Sequence, residues 1–478
     1  MEPVENLRAI RLKKLAKLKK LGVDPYPAKA EKKHSVGQCL SSLGKKVATA
    51  GRIMAIRTHG GSTFADLVDQ SGKIQIFLAR DKLGPKPYTL VANLDVGDFL
   101  QVEGKIDKTQ AGEITIFVDN FTILAKSIRP LPSKWYGLKD VEERFRRRYL
   151  DLIFNPEIKK IFVLKTKFWE NIRNYLKEAG FLEVETPVLE AVPGGADAAP
   201  FITHHAALDV DLYLRISLEL HLKRLIVAGF EKIFELGRVF RNEGIDAEHL
   251  QDYTQLEFYW AYADYWDLAN FSEDFYKTVI SQTFGTLKFK FDDTEIDWGK
   301  PWKRIDYFEI FATVTGLDLE KVSEDNLREY AVKIGLQPPK FYGKGRLIDL
   351  IYKKKIRPKL VQPAFLVNHP VDVSPLAKKL ERNPRKVQRL QVMAFGSELG
   401  NGWSELNDPV DQRERFLEQA KLRKKGDEEA QMADWDFVES LEYGMPPTAG
   451  FGLSERLFAK LVGKPMREVV FFPILKPK

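Results

Sequence analysis

Between residues 45 and 127 apolar and polar positions alternate with a period of two. VATAGRIMAI, STFADLVD, GKIQIFLAR, FLQVEGKI and EITIFVDNFTIL are five short strand candidates, parted by Gly, Asp and Ser turns. Five strands in about 80 residues predict a small closed barrel, with the OB-fold leading. Ahead of it, in residues 5–21, Leu7, Ile10, Leu15, Leu18 and Leu21 fall at roughly helical spacing. Arg8, Arg11, Lys13, Lys14, Lys17, Lys19 and Lys20 lie between them, and Gly22, Pro25 and Pro27 end the pattern. A basic helix of this kind either lies against nucleic-acid phosphates or is a solvated face, and the pattern leaves both open.

RPLPSKWYGLKDVEERFRRRYLDL (129–152) reads as a proline-marked linker running into a charged helix. Beyond it helical and strand patterns alternate to the end, which predicts one large α+β domain over 153–478. Within that domain, residues 303–360 read as a helical, polar insertion. The expected plan is therefore a basic extension (1–44), a barrel (45–128), a linker and a large domain. No internal repeat or low-complexity tract interrupts it.

Composition narrows the function classes. With 44% hydrophobic residues among 478, the chain can bury full cores without staples. Its 75 basic and 67 acidic residues leave a net charge of +8, a weak pointer to a polyanionic partner. Cys39 is the single cysteine, which excludes an intrachain disulfide and fits a reducing, cytoplasmic setting. No apolar run approaches the roughly 20 residues of a membrane span, so no membrane partner is expected. No apolar h-region follows the first charges, and Glu2 and Glu5 argue against a mitochondrial presequence.

Candidate chemistry gathers in three segments of the large domain. The first, Gly180-FLEVETPVLE, runs from a helix end into a strand and Pro187. In the second, the strand IFELGRVF leads to Arg241, Asn242 and Glu243, then to a polar loop with His249. A second alternating strand follows, ending at Glu257 and Tyr259. Such a hairpin is expected to bring Arg241 and Glu257 into one site. A buried arginine beside carboxylates needs an anionic ligand or an ion pair to offset its desolvation. In the third, PTAGFGLSERLF, Gly450 and Gly452 let the backbone approach a ligand before a helix opens with Glu455 and Arg456. A glycine turn before a helix suits phosphate, although this is neither a P-loop nor a dinucleotide fingerprint.

In this order and spacing, the three segments resemble motifs 1, 2 and 3 of class II aminoacyl-tRNA synthetases. The resemblance to the bacterial lysyl-tRNA synthetase family extends over nearly the whole chain. It rests on KLGVDPYP, FADLVDQSGKIQ, PFITHH, YLRISLELHLKRL, FRNEGID, EFYWAYADY, LGNGWSELNDPVDQRERF and MPPTAG. It implies an OB-fold anticodon-binding barrel joined to a catalytic domain on an antiparallel sheet, acting as a homodimer with Pro187 at the interface. The implied activity is ATP-dependent formation of lysyl-adenylate and transfer of the lysyl group to tRNA(Lys).

The resemblance also assigns roles. Arg241 matches the arginine on the α-phosphate and substrate carboxylate, and Arg456 the one at the γ-phosphate. Tyr253 matches the ring that stacks on adenine, with Glu243 and His249 lining the nucleotide. Glu219, Glu257 and the Gly195 backbone match the α-ammonium contacts. Glu405 and Tyr259 match the ε-ammonium contacts, with Asn401 and Trp403 closing the pocket. Glu398 matches a Mg2+ ligand. Phe64 and Gln75, helped by Arg57, match the readers of the uridine-rich anticodon.

The chain departs from the family pattern at three places. Gln391 stands where a second metal-binding carboxylate is usual, seven residues before Glu398. The motif 3 stretch GFGLSER is one residue short, and the loop at Gly60 and Gly61 lacks the usual lysine. Among rivals, an aspartate or asparagine synthetase would want cations in its pocket. The paralogue that lysylates an elongation factor lacks the barrel. A catalytically dead RNA-binding module would show no ATP turnover.

Overall fold

The computed structural model describes residues 4–132, 140–244, 246–427 and 430–477. The expected linker therefore falls partly, at 133–139, outside the described residues. The chain divides into two compact units, Met1–Val141 and Glu142–Lys478.

In the first unit five strands close a barrel: Lys46–His59, Ser62–Asp69, Gly72–Ala79, Ile114–Ala125 and Phe99–Lys108, in that order around it. The third and fourth in this order run parallel, pairing Gln75 with Thr115. Alternation decides what fills it. Ala65, Leu67, Ile74, Ile76, Leu78, Ile116 and Val118 point inward and are buried, whereas Phe64, Asp66, Phe77 and Phe117 face outward.

The helix Val4–Lys20 packs on this core through Leu18. Arg11 departs from both expectations for a basic helix, because it is buried. Its guanidinium donates to the carbonyls of Val96, Ser127 and Arg129 at 3.0–3.2 Å. The planar arginine fork suits several carbonyls of one loop junction at once. Arg11 is therefore a structural tie.

The second unit is built on an eight-stranded sheet. Its six central strands are antiparallel: Ala364–Val367, Arg389–Ala394, Ser397–Ser404, Thr448–Ser454, Asp252–Ala261 and Lys232–Phe240. A parallel strand is added at each edge, Lys303–Asp306 and Leu182–Glu183, so the sheet is mixed at its margins.

One sheet face is covered by the helices Pro156–Glu178 and Tyr265–Phe284, with Phe168, Phe258, Phe275, Tyr276 and Phe451 buried between. The second helix starts where it does because Asp264 and Asp267 form a capping box, and it ends at Gly285 with φ +71°. Residues 303–360 are helical only from Tyr307 onward and are amphipathic rather than polar throughout. Their inward faces close a second core around Phe311, Leu327, Leu347, Ile351 and Tyr352.

Candidate functional site

The opposite face of the sheet floors a cavity of about 650 Å³. Register assembles it. Gln391 pairs with Asn401, Asn401 with Gly452, and Gly452 with Glu257, which makes one row across four strands. The next row is Arg389, Trp403, Gly450 and Tyr259. Along the strand Asp252–Ala261 the period of two sends Tyr253, Gln255, Glu257 and Tyr259 to the cavity. Leu256 and Phe258 go to the core. Gly450 has no substitute there: a Cβ would lie 2.2 Å from Glu405 Oε1 and 2.4 Å from a Tyr259 ring carbon.

One end of the cavity is strongly acidic and buried. Glu257 Oε1 accepts from Ser217 Oγ (2.6 Å), Gln255 Nε2 (2.6 Å) and the Leu218 amide (3.1 Å). The Tyr259 hydroxyl donates to Glu257 Oε2 at 3.0 Å. Glu219 opens the helix Glu219–Val227, where Gly195 (φ +83°) packs so closely that a Cβ would meet Glu219 Cβ at 2.8 Å. Glu405 Oε2 accepts from Trp403 Nε1 at 2.8 Å, while its Oε1 is buried with no partner among the described residues. Burial pushes the Glu405 carboxyl up to about 8 and the Glu219 carboxyl up to about 7, against the pull of the Lys223 ammonium beside both.

The other end is basic. Arg241 lies past the strand Lys232–Phe240, its amide donating to the Gln251 carbonyl, and its guanidinium stands 5.6 Å from the Tyr253 ring centre. By register Arg241 is six residues away from Glu257, yet both line the cavity. Arg456, at the start of the helix Arg456–Leu461, also lines it and donates to the carbonyls of Glu248 and Glu398 at 3.4 and 3.3 Å. The one-residue shortening therefore does not take Arg456 out of the site.

Gln391 donates to Glu398 Oε2 at 3.0 Å and accepts from the Tyr352 hydroxyl at 3.3 Å. A second carboxylate there would repel the first; an amide holds it. Among the described residues no group of three or more His, Cys, Asp or Glu side chains is arranged to hold a metal. One carboxylate beside an amide does suit an ion that arrives on phosphate oxygens and keeps its waters, as Mg2+ does.

Some expected residues are not brought to the cavity. Glu243, His249 and Glu405 are absent from its lining, although Glu405 lies against Gly450 at the floor. The His249 ring is held by Asp246 at 2.7 Å instead. In the barrel, Gln75 was expected to offer its amide to a base edge, but it is buried. It donates to Glu113 Oε2 and accepts from Thr115 Oγ1, both at 2.9 Å. Arg57 pairs with Asp66 at 3.2 Å. Phe64 is half-buried, 4.6 Å from Phe77 between ring centres, with Phe117 a further 5.5 Å beyond. Pro187 is exposed.

The sequence reading missed Gln255, Arg389, Ser217 and Lys223. Alternation from Glu257 and Gln391 would have found Gln255 and Arg389. Helical spacing of four would have found Lys223 from Glu219.

Residues 140–476 match the family model for tRNA synthetases class II (D, K and N), and residues 47–124 match that for the OB-fold nucleic acid binding domain. The lysine–tRNA ligase of Carboxydothermus hydrogenoformans is 45% identical, over 100% of this chain and 99% of the relative. That of Moorella thermoacetica is 44% identical over the same shares, and that of Bacillus subtilis 42% over 100% and 98%. A sheet that sets two arginines against a carboxylate-lined pocket thus coincides with full-length similarity, and the chain belongs to the class II tRNA synthetases (D, K and N), where these relatives are lysine–tRNA ligases.

Proposed function

We propose that this protein activates L-lysine with ATP to form lysyl-adenylate, releases pyrophosphate, and transfers the lysyl group to tRNA(Lys). The observation that carries the reading is the pair Glu219 and Glu257 lining one cavity, with Glu405 buried against Gly450 at its floor and its Oε1 without a partner among the described residues. Buried carboxylates demand cations, and lysine brings an ammonium at each end. Aspartate and asparagine do not. Glu219 and Glu257, with the Gly195 backbone, take the α-ammonium. Glu405 and Tyr259 take the ε-ammonium, and Asn401 and Trp403 wall the side chain.

The chemistry is attack of the lysine carboxylate on the α-phosphorus, with the α–β phosphoanhydride breaking. Such a step needs alignment and charge stabilisation more than a protein nucleophile. Arg241 is placed to hold both the carboxylate and the α-phosphate, Tyr253 to offer a ring face to adenine, and Arg456 to take the γ-phosphate. Glu398, with Gln391 beside it, would hold Mg2+ carried on the ATP phosphates, where the ion offsets their charge. Acyl transfer to the terminal ribose of the tRNA then releases AMP.

In the barrel, the outward rings Phe64, Phe77 and Phe117 suit stacking on unpaired bases. Phe64→Ala is expected to lower tRNA charging about tenfold, from a loss of roughly 1–3 kcal/mol per stacked base, while lysine-dependent exchange stays at wild-type level. An equal loss in both assays would remove the anticodon role. Exposed Val188, Leu189, Ile202, Leu208 and Val210, beside Pro187 and on or next to the three-stranded sheet of Leu189–Glu190, Val210–Leu214 and Ile202–His205, support a homodimer. No described helix is long and apolar enough to cross a membrane, and we place the enzyme in the cytoplasm.

The deciding experiment is ATP–pyrophosphate exchange with each of the twenty amino acids. Exchange with lysine alone supports the proposal; exchange with aspartate or asparagine, or with none, overturns it. The raised Glu219 and Glu405 carboxyls add a sign. Below their raised values they hold protons and attract ammonium less, so kcat/KM for lysine should fall as pH drops from 8.5 to 6.5. The limiting slope is about tenfold per pH unit for one proton, and the KM for ATP should stay level. A flat lysine profile would contradict this.

A further inference from the structure

Lys223 lies one turn beyond Glu219 in the helix Glu219–Val227 and is 0% exposed. It is not among the residues that line the cavity. Its Nζ stands 2.5 Å from Glu219 Oε1 and pairs as well with Glu405 Oε2. The rings of Trp403 and Phe437 flank it at 5.9 and 5.7 Å. One ammonium thus occupies one oxygen of each carboxylate. On Glu405 this leaves Oε1 without a partner among the described residues, against the Gly450 backbone that floors the pocket.

We propose that Lys223 is a positioning residue for the amino-acid pocket: its buried ammonium ties Glu219 to Glu405 and sets both carboxylates to receive a substrate with two ammonium groups. This rests on the lysine reading above. The two ends of the pocket are then one linked network. A change at Glu405 releases Lys223 toward Glu219 and is felt at the α-ammonium end.

Other charged and titratable groups face the same network. Glu257 and Tyr259 come from the strand Asp252–Ala261, Arg389 from Arg389–Ala394, and Arg241 from the loop that joins Lys232–Phe240 to Asp252–Ala261. Arg389 acts on Glu219 at longer range and is itself engaged with Asn401 at 3.0 Å. Lys223 touches both carboxylates directly, and its charge opposes the upward push of burial on each. Without it, one carboxyl should keep a proton to higher pH, and lysine must displace that proton to bind.

The test compares full-length wild type with Lys223→Met, Lys223→Gln and Lys223→Arg in lysine-dependent pyrophosphate exchange between pH 6 and 9. In the two neutral variants the lysine KM is expected to rise about tenfold or more. The acid limb of kcat/KM for lysine should move up by about one pH unit, equivalent to that tenfold change. The KM for ATP should hold, and Lys223→Arg should recover part of the limb. Folded neutral variants with an unmoved limb and lysine KM would overturn the proposal. So would a parallel loss in kcat and both KM values with no displacement of the limb. Failure of both neutral variants to fold, beside a folded arginine variant, would make Lys223 purely structural and equally overturn it. Absence of lysine exchange in the wild type would instead sink the functional reading.

Discussion

Glu405→Gln is expected to lower kcat/KM for lysine by about 100- to 4,000-fold, the equivalent of roughly 3–5 kcal/mol for leaving one member of a buried ion pair alone. The loss should be this large because two cations depend on one carboxylate. Oε2 holds Lys223 and the Trp403 indole, and Oε1 is the unpartnered atom turned toward Gly450. A glutamine keeps the shape but supplies no charge to either. The direct partners of Glu405 are Lys223 and Trp403 and include neither Arg241 nor Arg456, so the KM for ATP and the affinity for tRNA should remain near wild type. Exchange kinetics with lysine varied, beside a thermal unfolding curve to exclude a folding defect, decide the matter. A lysine KM within twofold of wild type would remove Glu405 from the ε-ammonium site.

Gly450→Ala should be nearly as damaging, for a steric reason. The added methyl would sit 2.2 Å from Glu405 Oε1 and 2.4 Å from the Tyr259 ring. Neither neighbour is free to yield. Glu405 is held by Lys223, and the Tyr259 hydroxyl is anchored to Glu257 at 3.0 Å. Displacement of about 1 Å at a reacting or binding group can cost on the order of 100-fold in rate, and a loss of that size in lysine exchange is expected. Gly452→Ala is the control. There the new Cβ meets Glu257 Cγ at an ordinary 3.4 Å, and the effect should stay under about tenfold, the scale of roughly 1 kcal/mol for a tolerated core change. Equal effects at the two glycines would refute the steric argument.

Much of this architecture was legible in the residues. The period-two stretches between 45 and 127 became the barrel strands, because alternation is dictated by the pleat and needs no partner to be read. In TQLEFY the same alternation puts Glu257 and Tyr259 on one face. FRNEGID, GNGWSELND and the glycines of PTAGFG pointed to the catalytic fold through resemblance.

Other expectations failed where a side chain's partner lies far along the chain. Arg11 is buried by carbonyls more than eighty residues away, which no helical pattern announces. The amide of Gln75 is taken by Glu113 and Thr115 across a parallel strand pair, and the His249 ring by Asp246. The two parallel edge strands also escaped a reading that saw only antiparallel pairing, since strand direction follows from crossover connections rather than from composition.

By itself, then, the sequence determined the barrel, the family and the chemical type of the pocket residues, because those follow from local periodicity and motif identity. Tertiary structure alone decided that Gln391 hydrogen-bonds to Glu398, that Gly450 must stay bare, and that Lys223 joins Glu219 to Glu405. Each of these depends on strand register and on a contact between residues brought together only when the sheet closes, and a charge buried at such a point takes its meaning from its neighbours.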